Sequence, residues 1–155
     1  MNDLSDLIAA EAVLPRLITT SRRQALQTMA EALAKSSGVD ARAAFDAVLM
    51  RERLSGTGMG EGVAIPHAPV AGVVRPIGAF ARLDPPQDFE AMDGRPADLV
   101  FMLISPAGRS ADHLKALARV SRLLRRAEMR EKLRGARGGD ELYALIASGV
   151  RVDAA

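Results

Sequence analysis

The sequence predicts a single α/β domain in which helices pack against one sheet. Its 155 residues correspond to the usual size of one domain, and a hydrophobic content of 48% is enough to bury one core. Segments with helical spacing of apolar residues alternate with short apolar segments, and no repeat or low-complexity linker separates them. The run Ala97–Ile104 is nearly continuously apolar, which is typical of a central strand buried on both faces. We therefore expect one domain over residues 1–155, with residues 151–155 as a frayed tail.

The first third of the chain predicts an edge strand and two helices. These elements cover Ala12–Thr19, Arg22–Lys35, and a helix from its cap at Asp40 to about Leu54. Pro15 cannot donate a ladder hydrogen bond, which favours the edge of a sheet for the strand. Thr20-Ser21 is a good cap for the first helix, and Ser36-Ser37-Gly38 ends it.

A glycine-rich loop is predicted at Ser55–Gly62, followed by two strands. Glycine occupies positions 56, 58, 60 and 62, so the backbone can adopt positive φ at every second residue and approach a ligand closely. The strands are expected at Val63–Ile65 and Ile77–Leu83. We expect Asp84-Pro85-Pro86 to end the second strand, because proline lacks the N–H that a ladder requires.

The rest of the chain predicts one buried strand followed by helices. Asp93–Pro96 forms a turn before the strand Ala97–Ile104, and Pro106-Ala107-Gly108 ends that strand. Ser110 is a suitable cap for a helix from Ala111 to about Arg126. The apolar face of this helix is expected at Leu114, Leu117, Ala118, Ser121 and Leu124. Two further helical segments are Arg130–Arg134 and the one introduced by Gly138-Gly139-Asp140.

The composition excludes several classes of site. The absence of cysteine removes disulfides, cysteine-based zinc sites and thiol nucleophiles, and it suggests a reducing compartment. The net charge is only +2, and one tyrosine, four phenylalanines and no tryptophan give bases little to stack on, so we expect no nucleic-acid partner. The first residues are acidic where a signal peptide would be basic, and the longest strongly apolar run has six residues. We therefore expect a cytoplasmic protein without membrane insertion.

The common nucleotide, hydrolase and metal motifs are also missing. No glycine is followed by lysine, and neither Gly-x-Gly-x-x-Gly nor Gly-x-Ser-x-Gly occurs. The glycine loop precedes a strand, whereas a pyrophosphate site needs a helix there. His67 has no Asp or Glu within five residues on either side, so a catalytic metal site lacks its spacing signature. We expect no bound cofactor and no metal.

His67 is the first candidate site residue. It follows a short strand, with Pro66 and Pro69 restricting the backbone around it. A neutral imidazole is a good nucleophile near pH 7, because one ring nitrogen can accept a group while the other donates to a carbonyl. The alternative is a loop histidine without a role.

His113 is the second candidate and the only other histidine. It lies in the first turn of the helix that Ser110 is predicted to cap, where free N–H groups and partial positive charge suit a phosphoryl group. If the two histidines meet, His113 could hydrogen-bond a phosphate carried by His67. The alternative is an ordinary surface residue of the helix.

The stretch Arg51–His67 resembles the signature of the mannitol/fructose-type IIA domains of the bacterial phosphoenolpyruvate-dependent phosphotransferase system. Further segments follow the same family's pattern, namely Asp88-Phe89, Asp93-Gly94, Asp98–Phe101, His113-Leu114 and Leu117-Ala118. The resemblance covers about residues 4–147. With its segment Leu99-Val100-Phe101-Met102-Leu103, and because we expect it to stand alone without an attached transporter domain, the chain is most similar to the nitrogen-regulatory branch. It implies the mannitol/fructose-type IIA fold, a single three-layer α/β/α domain with a mixed β-sheet.

The resemblance also implies roles for four residues. His67 would accept a phosphoryl group from a histidine-containing phosphocarrier protein of the nitrogen branch, whose phosphate comes ultimately from phosphoenolpyruvate. His113 would lie beside it, Arg51 would help to organise the site, and Thr57 would be the nearest matching hydroxyl for a phosphate contact. The chain departs from the family's common pattern at Ser55-Gly56, where Gly-Ser is usual, and at Ala68, where glycine is usual.

Three functions stay open on these grounds. The first is a phosphocarrier that regulates partners by its phosphorylation state rather than acting as a metabolic enzyme; the family implies potassium transport proteins and sensor kinases as candidate partners. The second is a relay that passes phosphate to a sugar-specific IIB domain. The third is a binding module whose Arg119–Arg137 stretch, with eight cations interrupted by Glu128 and Glu131, contacts an anionic partner.

Overall fold

A mixed six-stranded sheet forms the centre of the computed structural model, which describes residues 4–149. Its strands are β1 (Ile8–Ile18), β2 (Gly58–Gly60), β3 (Val63–Ala64), β4 (His67–Val70), β5 (Ile77–Gln87) and β6 (Ala97–Pro106). The helices are α1 (Arg22–Ser37), α2 (Ala41–Leu54), α3 (Ser110–Arg125), α4 (Ala127–Gly135) and α5 (Gly139–Ser148).

Strand β6 organises the sheet, because three other strands pair with it. The order is β1-β5-β6-β3-β2, with β4 also paired to β6. Strands β3 and β4 run parallel to β6 in one continuous register, since Ala64 lies opposite Val100 and His67 lies opposite Leu103. Strand β5 runs antiparallel on the other side of β6. This register carries His67 to the end of the sheet where β6 leads into α3.

Helices cover both faces of the sheet, which confirms the three-layer α/β/α prediction. On one face α1 and α2 pack through a cluster that includes Leu26, Met29 and Val48. On the other face α3, α4 and α5 pack through a second cluster that includes Val120, Leu133 and Ile146. The residues of β6 alternate between the two clusters and are almost completely buried, as the apolar run predicted.

The strand predictions need four corrections. Strand β1 lies at the sheet edge as predicted, but it begins at Ile8 rather than Ala12. Asp84-Pro85-Pro86 does not end β5, which continues to Gln87. The pairing with β6 shifts register between Arg82 and Gln87, so the prolines lie where the ladder is interrupted and their missing N–H groups cost nothing. The predicted loop contains the short strand β2, and β4 was not predicted.

The helices confirm most of the predicted bounds. The Ser21 hydroxyl caps α1 by accepting from the N–H of Gln24, and the Asp40 carboxylate caps α2. Ser110 is not a cap: it is the first residue of α3, and Arg109 precedes the helix without a side-chain hydrogen bond to it. The segment predicted at Arg130–Arg134 is the longer helix α4.

The buried face of α3 differs in phase from the prediction. The residues of α3 that are buried are Ala116, Val120, Leu123 and Leu124. Leu124 was predicted correctly, whereas Leu114 is 63% exposed and Ala118 is also exposed. The predicted tail at residues 151–155 lies outside the described residues.

Candidate functional site

Two imidazole rings meet at one end of the sheet. His67 is the first residue of β4, and His113 lies in the first turn of α3. Their ring centroids are 5.4 Å apart, with the ring planes at 37° to each other. Parallel pairing explains this meeting, because His67 lies opposite Leu103 and β6 ends only three residues later, a short turn before α3. The conditional expectation that His67 and His113 lie together is therefore met.

The hydrogen bond of His67 fixes which ring nitrogen carries the proton. Its Nδ1 lies 2.6 Å from the backbone carbonyl oxygen of Ile65. A carbonyl oxygen can only accept, so Nδ1 carries the proton in the neutral ring and Nε2 keeps its lone pair. No other hydrogen bond of the ring is found among the described residues. The half-buried His67 thus has an unprotonated Nε2, which is the form in which an imidazole can act as a nucleophile.

His113 is held through a different kind of partner. Its Nδ1 lies 2.7 Å from the hydroxyl oxygen of Ser105, which is completely buried in β6. A hydroxyl can donate or accept, so this contact accommodates either neutral tautomer of His113. Sequence reasoning missed Ser105. The available signal was a single hydroxyl at the end of the apolar run Ala97–Ile104.

Both imidazoles favour the neutral form. Burial is the main cause that lowers the pKa of His67 below the ordinary 6.5, and the nearby Arg51 charge acts in the same direction. The hydrogen bond to Ile65 opposes these effects. Burial also lowers the pKa of His113, with a smaller contribution from His67. Each ring is therefore neutral at pH 7 and able to act as a nucleophile or a hydrogen-bonding group.

Arg51 is a cation whose charge lowers the pKa of His67. It lies in the last turn of α2, and its Nη1 donates to the backbone carbonyl of Ser55 at 2.9 Å. This hydrogen bond ties the guanidinium to the start of the glycine loop. Because the charge of Arg51 acts on the His67 imidazole, the same charge can act on an anion attached to that ring.

Both hydrogen-bond donors of Thr57 bind a neighbouring carboxylate. Its backbone N–H and its hydroxyl donate to the two carboxylate oxygens of Glu52, at 2.8 and 2.6 Å. Glu52 is only 1% exposed. Sequence reasoning missed this carboxylate, although Ala44, Val48 and Glu52 share one helical face, and that spacing indicates an inward direction.

The glycine loop is packed against the segment at residues 89–93. The N–H of Gly58 donates to the carbonyl of Phe89, and a Cβ at position 56 would collide with that same oxygen. Asp93 accepts from the N–H of Glu61 at 2.9 Å and so holds the far end of the loop. The close approach that these glycines allow is therefore an approach of two backbone segments.

Most of the cations in the stretch Arg119–Arg137 are paired with carboxylates. Among the eight cations of Arg119–Arg137, five form ion pairs with carboxylates: Arg119, Arg126, Arg130, Arg134 and Arg137.

Within residues 4–149, no group of three or more His, Asp or Glu side chains is arranged to hold a metal ion. Over the same residues, every helix falls short of the length and apolar character needed to cross a bilayer.

Comparison with known proteins assigns the chain to a family. The family model for the phosphoenolpyruvate-dependent sugar phosphotransferase system, EIIA 2, matches residues 6–149. A nitrogen regulatory protein of Bradyrhizobium diazoefficiens is 49% identical over 144 residues, which cover 93% of this chain and 94% of the relative. The fructose-specific EIIABC component of Bacillus subtilis is 37% identical over 92% of this chain but only 23% of its own length.

A solved structure agrees with this assignment. The nitrogen regulatory protein IIA-Ntr of Neisseria meningitidis superposes with a TM-score of 0.84 at 29% identity, over 92% of this chain and 98% of that one. The fold predicted from the resemblance is thereby confirmed, as is the similarity to nitrogen-regulatory members. The chain belongs to the EIIA 2 family of the phosphoenolpyruvate-dependent sugar phosphotransferase system.

Proposed function

We propose that the protein is a phosphohistidine carrier that accepts a phosphoryl group on Nε2 of His67 and regulates partners by its phosphorylation state. The donor is a histidine-containing phosphocarrier protein of the nitrogen branch, itself phosphorylated ultimately from phosphoenolpyruvate. The observation that carries the proposal is the bond from Nδ1 of His67 to the Ile65 carbonyl, which leaves Nε2 with its lone pair. Family membership supports a phosphocarrier role.

The transfer is an in-line displacement between two imidazoles. The lone pair of His67 Nε2 attacks the phosphorus, the Nε2–P bond forms, and the N–P bond to the donor histidine breaks. The electron pair of the broken bond returns to the donor ring, which leaves as a neutral imidazole because its second nitrogen carries a proton, while the His67 ring keeps the proton on Nδ1 and takes up the positive charge. As positive charge develops on the His67 ring, the hydrogen bond from Nδ1 to the Ile65 carbonyl becomes charge-assisted and stabilises it. The protein mainly positions the groups and balances charge.

His113 and Arg51 then act on the phosphoryl oxygens. When the Ser105 hydroxyl donates to Nδ1 of His113, Nε2 of His113 carries the proton and can donate to a phosphoryl oxygen. The Arg51 guanidinium offsets the negative charge that arrives with the phosphate. Thr57 was expected as a phosphate contact, but its hydroxyl donates a hydrogen bond to Glu52, so we assign it no phosphate contact.

The regulatory output follows from charge. Phosphorylation adds to the neutral imidazole a phosphoryl group whose negative charge is about 1.5 to 2 near pH 7, and a protein partner can recognise this change in charge. We propose nitrogen- or potassium-related proteins as the partners, including potassium transport proteins and sensor kinases, and the cytoplasm as the place of action. A pull-down that compares His67→Ala with the charge mimic His67→Asp tests this output. Recovery of the same proteins at the same levels would argue against state-dependent regulation.

The chemical form of the phosphate tests the carrier function directly. The protein is incubated with phosphoenolpyruvate and the upstream phosphotransferase enzymes, and ³¹P NMR then identifies the linkage. We expect an acid-labile, alkali-stable phosphoimidazole substituted at Nε2. A label that survives acid, or substitution at Nδ1, would contradict the proposed attack from Nε2.

A second candidate function is the relay of phosphate to a sugar-specific IIB domain. The specific observation in its favour is the 37% identity to the fructose-specific EIIABC component. Passage of label from the phosphorylated protein to an isolated fructose- or mannitol-type IIB domain within seconds would favour this function. Label that stays on this chain in the presence of such domains would favour the regulatory role.

A further inference from the structure

The buried carboxylate of Glu52 has no part in the proposed chemistry. It lies in the last turn of α2 at 1% exposure, where an ionised group is costly unless it is hydrogen-bonded and its charge is balanced. Both oxygens accept hydrogen bonds from Thr57, and the guanidinium of Arg22 lies 3.6 Å from Oε2. Because burying this carboxylate is costly, we asked which part of the site Glu52 contacts.

A chain of three contacts leads from Glu52 to the imidazole of His67. The Glu52 carboxylate holds both donors of Thr57. The carbonyl of Thr57 accepts from the N–H of Ile65 at 3.2 Å. The carbonyl of Ile65 in turn accepts from Nδ1 of His67 at 2.6 Å. The orientation of the His67 ring is therefore connected to a side chain that lies fifteen residues earlier in the sequence.

We propose that Glu52 is a positioning residue for His67, acting through Thr57 and Ile65 to hold the proton on Nδ1 and the lone pair on Nε2. The inference rests on the proposed function of His67 as phosphoryl acceptor. Glu52 touches neither the imidazole nor the phosphoryl group in this role; it determines where the Ile65 carbonyl points.

The local backbone makes this connection necessary. Ala64 pairs with β6, and the carbonyl of Pro66 accepts from the N–H of Leu103 at 2.9 Å. Between them the N–H of Ile65 turns away from β6 toward Thr57. Pro66 has no N–H to add a further restraint. The carbonyl that orients His67 thus depends on Thr57, and Thr57 depends on Glu52.

The chemistry of the contact explains why a carboxylate is present. Thr57 offers two donors at once, its N–H and its hydroxyl, and a carboxylate can accept both because each oxygen has lone pairs. An amide has one accepting oxygen and one donating NH2 group, so with Gln at position 52 the Thr57 hydroxyl would have to rotate and accept, or lose its hydrogen bond. Glu52→Gln therefore keeps the side chain nearly the same size and still disturbs the first of the three contacts, the one between residue 52 and Thr57.

The experiment compares Glu52→Gln with Glu90→Gln as a matched control. Glu90 pairs with the same Arg22 at 2.8 Å, but it is exposed, and among the described residues no hydrogen bond joins it to Thr57. Because the chain has only two histidines, ¹⁵N NMR reports the tautomer of each ring separately. His113 is an internal reference, since its Nδ1 is held by Ser105 rather than by this chain of contacts.

For Glu52→Gln we expect the Nδ1–H tautomer of His67 to lose population, while His113 stays unchanged. Phosphoryl acceptance from the phosphorylated carrier should fall about tenfold, since misplacement of a nucleophile by a fraction of an ångström has effects of this order. Glu90→Gln should leave both the tautomer and the rate unchanged. A wild-type tautomer and rate in Glu52→Gln would overturn the proposal.

Thr57 variants decide the matter if Glu52→Gln does not fold. Thr57→Val removes the hydroxyl bond and keeps the backbone N–H, and we expect about a threefold loss of rate with a partial tautomer shift. Thr57→Ser should restore wild-type values. Equal behaviour of Val, Ser and Thr at position 57 would overturn the proposal. The tautomer measurement needs no phosphate, so it stays informative even if His67 is not the phosphoryl acceptor.

Discussion

The two imidazoles of the site are held by opposite kinds of partner. The Nδ1 of His67 contacts a backbone carbonyl, which only accepts, whereas the Nδ1 of His113 contacts the Ser105 hydroxyl, which accepts or donates. His67 is therefore confined to one neutral tautomer, and His113 is able to change its own. A fixed tautomer suits a nucleophile, and an adaptable one suits a group that must donate to phosphate in one state and not in the other.

The backbone around the two rings differs in the same sense. His67 follows Pro66, which restricts the backbone, and a glycine loop that is hydrogen-bonded to residues 89–93. The backbone around His67 is therefore held at several points. His113 lies on the first turn of α3, which has no side-chain cap, and depends on a single buried hydroxyl. Removal of either ring or of its partner should therefore have unequal effects.

The largest expected effect is that of His67→Ala. Because this variant removes the proposed acceptor nitrogen, incorporation of acid-labile label from phosphoenolpyruvate should fall to background. The readout is label per mole of protein after long incubation with the upstream enzymes. The circular dichroism spectrum should match that of the wild type, because the half-buried His67 is not part of either hydrophobic cluster. Full labelling of His67→Ala would show that the two rings had been assigned the wrong way round.

His113→Ala should slow the reaction without preventing it. The acceptor nitrogen remains, but one hydrogen-bond donor to the phosphoryl oxygens is lost, and removal of such a donor typically reduces rates by about 10². Rapid-quench measurement of the single-turnover rate checks the size of the effect, and long incubation should still give full labelling. An unchanged rate would mean that His113 does not contact the phosphoryl group.

Ser105→Ala should give a smaller decrease, because it acts only through His113. The ring remains in place but loses the partner of its Nδ1, and we expect a rate reduction of about three- to tenfold. The variant should shift the NMR signals of His113 and leave the tautomer of His67 unchanged. In the double variant with His113→Ala, Ser105→Ala should add nothing further to the rate loss. Additive rate losses would mean that Ser105 does not act through His113.

The fold was predictable where one segment carries its own signal. Ser21 and Asp40 begin α1 and α2 as expected, and the apolar run Ala97–Ile104 is the buried centre of the sheet. Strands β2 and β4 were missed because they contain glycine or proline, which are uncommon in strands, whereas the even shorter β3 is apolar. They exist through pairing with β3 and β6, and such pairing leaves little trace in local sequence.

In the site, too, some residues have a local sequence signal and others depend on tertiary contacts. His67 and His113 stand out in the sequence because they are the only histidines and follow recognisable strand and loop patterns. Glu52 and Ser105 act through side-chain contacts that appear only when α2 faces the glycine loop and α3 faces β6. The phase of α3 was misjudged for a related reason. Taking His113 as an inward residue would have placed Val120 and Leu124 on the same inward side of α3, and both are buried in the structure.

The smallest expected effect concerns the pH dependence of the two rings. Burial lowers the pKa of both histidines below 6.5, so the unfolded chain binds protons first as the pH falls. Stability should therefore be independent of these groups above about pH 6.5 and decrease as the pH falls from there toward the lowered pKa values. Phosphoryl acceptance should decrease at lower pH, as the pH falls through the lowered pKa of His67 in the folded protein, because a protonated His67 has no lone pair at Nε2.

NMR titration of the wild type and of His67→Gln separates the two causes at His113. Because charge on His67 contributes to lowering the pKa of His113, His67→Gln should move that pKa upward. It should remain below 6.5, since burial is the larger cause. A pKa of His113 that returns fully to 6.5 would mean that the interaction of the two rings outweighs burial. An unmoved pKa would mean that the rings titrate independently despite their separation of 5.4 Å.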